Sequence, residues 1–131
     1  MFLDASAAIA ILAREEDQSS LAEKLAGAPI VLFSPLAYYE TCAGLARALN
    51  SHPSVAEQFV RKMLTTAHVR TVDLTEEIGI AAVTAHRLFG KGRHRASLNM
   101  GDCFAYACAK VHKVPLLCKG DDFIHTDIEL A

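Results

Sequence analysis

The chain has 131 residues, enough for one domain with a real core and no more. With 52% hydrophobic and 21% charged residues it has a globular composition, which excludes a disordered tail or linker. The net charge of −2 excludes binding to a polyanion by bulk charge, so any nucleic acid must meet a local basic patch.

Met1-Phe2-Leu3 is a short apolar run that reads as a buried strand. Asp4-Ala5-Ser6 opens an Ala/Ile/Leu-rich helix with Asp4 near its N-cap. Gln18 to Ala26 reads as a second helix, stopped by Gly27 and Pro29. Ile30-Val31-Leu32-Phe33 is uniformly apolar, as a strand covered on both faces should be. Ser34-Pro35 supplies a cap and a first-turn proline for a helix running to about Asn50. Val55 to Ala67 is an amphipathic helix, Val69 to Leu74 an alternating strand, and Thr75-Glu76-Glu77 caps a helix to Phe89.

Gly90 to Ser97 is a basic loop. A nearly all-apolar helix follows, with Asn99 at its cap and Asp102 in its first turn. Pro115-Leu116-Leu117-Cys118 is a strand, Lys119 to Phe123 a turn, and Ile128-Glu129-Leu130 a final edge strand. This alternation predicts a single α/β domain over residues 1–131, built on a mostly parallel sheet of four to five strands. The start lacks the charged region of a secretory leader, and no apolar run reaches the ~18 residues of a membrane span, so a cytoplasmic protein is expected. Cys42, Cys103, Cys108 and Cys118 form no Cys-x-x-Cys pair and read as reduced thiols.

The acids carry the chemistry. Asp102 sits in an apolar helix, on one stripe with Ala105, Tyr106 and Ala109. Glu40 shares a stripe with Leu36, Ala43 and Gly44, whose small side chains leave room beside it. Asp4, Asp121 and Asp122 follow strands, where ligands of parallel sheets bind. Each acid alone has a plain reading: an N-cap, a helix-dipole partner, or a turn residue. Four carboxylates about 6 Å apart, however, repel by roughly 3 kcal/mol per pair at an effective dielectric of ~20. Six such pairs rival a domain's whole stability of roughly 5–15 kcal/mol, so protons or cations must sit among them. All-oxygen donors favour Mg²⁺ or Mn²⁺ over Zn²⁺.

Two segments resemble a known family. Leu98-Asn99-Met100-Gly101-Asp102-Cys103-Phe104-Ala105-Tyr106-Ala107 and Pro115-Leu116-Leu117-Cys118-Lys119-Gly120-Asp121-Asp122-Phe123, with Thr126-Asp127, are similar to the hallmarks of VapC-type toxins, the PIN-domain ribonucleases of bacterial toxin–antitoxin pairs. Asp4-Ala5-Ser6 and the mid-helix Glu40 match as well. The resemblance implies a three-layer α/β/α sandwich and a metal-dependent endoribonuclease whose products carry a 5′-phosphate and a 3′-hydroxyl. It implies Asp4, Glu40 and Asp102 as metal ligands, with a fourth acid after the last main strand. Asp121 is favoured for that place, and Asp122 and Asp127 remain open. The family's loop has a proline where this chain has Arg95, which makes the loop more basic.

Lys91, Arg93, His94 and Arg95 in that loop, with Ser6 beside Asp4, are the expected RNA contacts. Partners implied by the resemblance are RNA, a VapB-like antitoxin and a second copy in a homodimer, with heterotetramers or larger assemblies when antitoxin is bound. The apolar surface around Leu12 to Leu25 and Tyr38 to Leu49 is the expected docking face. Tyr38, Tyr39 and Tyr106 read as core or interface residues, and the six histidines as surface or packing residues. Rival readings are a catalytically weak PIN-like binding module or another metal-dependent phosphoryl hydrolase. A haloacid-dehalogenase-like phosphatase wants Asp-x-Asp after the first strand, and this chain has Asp4-Ala5-Ser6.

Overall fold

A computed structural model describes residues 1–131. In chain order the elements are β1 (Phe2–Leu3), α1 (Ala5–Ala13), α2 (Gln18–Gly27), β2 (Leu32–Phe33), α3 (Pro35–Ala48), α4 (Pro53–Thr66), β3 (Arg70–Thr71), α5 (Glu76–Phe89), α6 (Met100–His112) and β4 (Leu116–Leu117), followed by a short 3₁₀ turn at Phe123–His125. The strands form one wholly parallel sheet in the order β3-β2-β1-β4. Phe2 stands in register with Leu32 on one side and Leu116 on the other.

Because side chains alternate across a strand, two residues suffice to feed both faces. Phe2, Leu32 and Leu116 join one cluster with Ile78 and Ala82 of α5 and Cys103 and Ala107 of α6. Leu3, Phe33 and Leu117 join the opposite cluster with Ala7 of α1, Leu21 and Leu25 of α2, and Ala37 of α3. The result is the α/β/α sandwich expected from the sequence. A smaller cluster of Leu45, Ala46, Ala56 and Val60 seats α4 on α3.

Helix starts follow local chemistry. Ser34 Oγ accepts from Ala37 N–H ahead of Pro35, Thr75 caps α5, and Asn99 and Asp102 form a reciprocal capping box on α6. The strands are shorter than their apolar runs. Only Arg70 and Thr71 of the expected Val69–Leu74 strand pair, in register with Leu32 and Phe33 of β2. The expected final strand is a single bridge between Leu130 and Leu116. All four cysteines are free, and no helix is long and apolar enough to cross a membrane.

Phe2 is fully buried in the central strand. Phe2→Ala should cost about 3–5 kcal/mol in urea unfolding; a loss below about 1 kcal/mol would contradict this packing scheme.

Candidate active site

Asp4 leaves the ladder at the carboxyl end of β1, its N–H still donating to Leu117 O at 2.9 Å. It is the N-cap of α1: its Oδ2 accepts from Ser6 N–H at 2.9 Å and from Ser6 Oγ. The cap reading and the site reading therefore hold together. Asp102 is the third residue of α6, with Oδ2 accepting from Asn99 N–H at 2.8 Å. Both acids lie at helix N-termini, where the helix dipole favours negative charge.

Glu40 arrives from the middle of α3. Gly44 lets α3 press against α1, since a Cβ there would collide with Ile9. Gly101 makes room for Glu40 itself: a Cβ at Gly101 would overlap its carboxylate. Asp4, Glu40 and Asp102 thus line one cleft of about 390 Å³, together with Ser6, Tyr39, Arg47 and Asn99.

The three acids hold protons unusually well. Asp4, only 4% exposed, has its pKa raised by burial against the lowering effect of its Ser6 hydrogen bonds. Glu40 is pushed up to about 7, by burial first and then by the charges of Asp4 and Asp102. Asp102 rises to about 6, by burial and by the charges of Asp4 and Asp122, against the pull of the Asn99 N–H. None of the three has an ion-pair partner. Their side chains do not already close on one point as a ready-made cage. All-oxygen donors of this kind are the chemistry a hard divalent cation takes.

The loop acids separate. Asp122, exposed, is the one whose charge raises Asp102 and Cys118. Asp121, favoured from the sequence, is also exposed, and its charge acts on none of the three acids. Asp127 belongs elsewhere: its carboxylate accepts from Tyr106 OH and pairs with Lys110 Nζ at 2.9 Å, which holds its pKa low. That correction rests on contacts 17 and 21 residues away, beyond any local pattern.

The turn carrying Asp121 and Asp122 is anchored. Lys119 N–H donates to Ser6 Oγ at 3.0 Å, while its ammonium pairs with Glu15 and, at 3.0 Å, with Asp17. Ser6 thereby ties the β4 turn to Asp4. In the basic loop, Lys91, Arg93 and Arg95 are exposed. His94 instead packs edge-on against Phe89, and its Nδ1 accepts from Ala96 N–H at 3.2 Å, so it shapes the loop. Tyr38 bonds Glu57 and Tyr106 is buried, as core readings require, but Tyr39 is 69% exposed beside the acids. Arg47 and Tyr39 are the cleft residues that the sequence reading missed. Arg47 lies seven positions after Glu40, two helical turns on, and only that spacing marks it.

The PIN domain family model matches residues 1–129. Ribonuclease VapC30 of Mycobacterium tuberculosis is 40% identical over 131 residues, covering 98% of this chain and 95% of that protein. A ribonuclease VapC of Mycolicibacterium smegmatis is 41% identical over 128 residues, covering 98% and 97%. Among solved structures, M. tuberculosis VapC20, described as a Sarcin-Ricin loop cleaving toxin, superposes with a TM-score of 0.78 at 17% identity, covering 99% and 97%. A toxin–antitoxin complex from Klebsiella pneumoniae gives 0.72 at 18%, covering 99% and 95%.

Glu40 and Asp102 bind protons more tightly in the folded chain than in the unfolded one, where their pKa values are about 4.3 and 3.9. Folding stability of the metal-free protein should therefore rise as pH falls from about 8 to 5, and Asp102→Asn should raise the melting temperature at the alkaline end. A melting temperature that falls steadily over that range would contradict the crowding. Gly101→Ala meets only the far end of the Glu40 side chain. It should keep the fold by circular dichroism and weaken Mn²⁺ binding by about 10-fold or more; unchanged Mn²⁺ affinity would remove Glu40 from the site.

Proposed function

Because the chain belongs to the PIN domain family, we propose that it is a metal-dependent endoribonuclease and the toxin of a cytoplasmic toxin–antitoxin pair. One observation carries the chemistry: three carboxylates from distant elements line a single cleft with no cation paired to them. The ribonuclease activity is supported by near-full-length relatives named VapC ribonucleases at about 40% identity.

Asp4, Glu40 and Asp102 would hold Mg²⁺ or Mn²⁺, with Asp122 the nearest candidate for a fourth acid. Bound there, the ion supplies a water of lowered pKa and stabilises charge developing on the phosphate. The chain's own residues do the rest. Ser6 and Asn99 aim Asp4 and Asp102 through the hydrogen bonds that cap α1 and α6. Glu40, its pKa pushed up to about 7, can take up or release a proton near neutral pH. Lys91, Arg93 and Arg95 contact the phosphates of the RNA outside the cleft.

The antitoxin partner is supported by the fold shared with a toxin–antitoxin complex. An apolar groove lined by Leu12, Leu25, Val31, Phe59 and Met63 shares only its α1–α2 side with the docking face expected from the sequence, and it is a candidate seat for the antitoxin. Homodimers, and larger assemblies with antitoxin, complete the reading.

The test is RNA cleavage with Mg²⁺ or Mn²⁺, with and without EDTA, alongside Asp102→Asn. Cleavage should stop with EDTA and fall by at least about 100-fold with the substitution. Cleavage that survives both would overturn the metal mechanism. A protein that cleaves nothing and gains no melting temperature from Mn²⁺ would be a binding module instead.

A further inference from the structure

The acid cleft has a wall on α3 of which the proposed metal site would use only Glu40. Tyr39, Glu40, Ala43 and Arg47 face it from successive turns of α3. Arg47 lines the same cleft as three carboxylates, yet it pairs with none of them. The charges that act on Glu40 and Asp102 are those of other acids and not that of Arg47. Its guanidinium is exposed, so it is not there to neutralise the site. Arg47 is instead a free fork at the cleft edge, suited to a phosphate oxygen.

Tyr39 is the matching oddity. Tyr38 bonds Glu57 and lies under Arg61, and Tyr106 bonds Asp127, whereas Tyr39 stands 69% exposed with no hydrogen-bond partner at the rim of the acids. An exposed aromatic ring and an unpaired guanidinium flanking a phosphate-cleaving site are the two elements of a single-strand nucleic-acid platform. A duplex could satisfy the guanidinium but offers no splayed base to the ring. The basic loop lies on another side: Lys91 lines a separate groove with Met100 and Phe104, between α5 and α6, that meets the acid cleft at Asn99.

We infer that α3 forms an RNA-binding lip in which Arg47 holds a phosphate and Tyr39 stacks an unpaired base beside the cut. This rests on the ribonuclease reading, and both residues are positioning and specificity residues.

The test measures binding apart from cleavage. In the Asp102→Asn protein with Mg²⁺, the anisotropy of a short fluorescein-labelled single-stranded RNA is followed across a salt series. Tyr39→Ala should weaken binding by about 5-fold or more, with Tyr39→Phe retaining it. Arg47→Ala should reduce the slope of log affinity against log salt by about 0.7, with Arg47→Lys retaining the slope. A duplex of the same sequence should be indifferent to Tyr39→Ala, and Arg70→Ala on the edge strand should change nothing. Tyr39→Ala within about twofold of the parent, with an unchanged slope for Arg47→Ala, overturns the lip. If the wild type still cleaves RNA in that case, the ribonuclease reading stands. Lip variants that lose binding in a protein that cleaves no RNA would sink the ribonuclease reading and keep the lip. A parent that binds no RNA overturns both.

Discussion

Asp4, Glu40 and Asp102 repel one another, and the fold holds them together regardless. Everything around the cleft is arranged to bear that repulsion. Asp4 and Asp102 are each fastened by backbone N–H groups at a helix start, so two dipoles face the negative charge. Glu40 has no such fastening, and Gly101 simply leaves it a space. Its pKa is pushed up to about 7. The site is therefore graded: two acids held by backbone N–H groups and one held by none.

That grading depends on how short the strands are. In β1, β2 and β4, two residues deliver one side chain to each core layer and then release the chain at once. Asp4 follows directly after β1, and the Lys119 turn follows β4 almost as soon. Longer strands would carry both acids away from α3 and α6. Lys119, gripping Glu15 and Asp17 and donating to Ser6, then keeps the β4 turn against the start of α1.

Local chemistry made the helix starts legible in advance: Ser34-Pro35, Thr75 and Asn99 each satisfy an orphan N–H group within three residues. The trio of Asp4, Glu40 and Asp102 was legible too, because each acid is out of place in an apolar setting. What depended on distance was not. Asp127 looked like a loop acid until Tyr106 and Lys110 claimed it. Asp121 and Asp122 are neighbours with identical side chains, and only the direction of the turn separates them. The alternation of Val69 to Leu74 promised a full strand, but only Arg70 and Thr71 find partners on β2. Tyr39 and Arg47 carry no motif; α3 packs against α1 and α6, and only that packing puts them in the acid cleft.

In the proposed metal site, a divalent cation would relieve the uncompensated charge of the three carboxylates. Calorimetric titration of the metal-free protein with Mn²⁺ near pH 6.5, in two buffers of different ionisation enthalpy, tests this directly. Metal must displace the protons that Glu40 and Asp102 hold there. Saturable binding with proton release is the predicted result, with less release in Glu40→Gln. Absence of binding, or binding with no protons released, would contradict it.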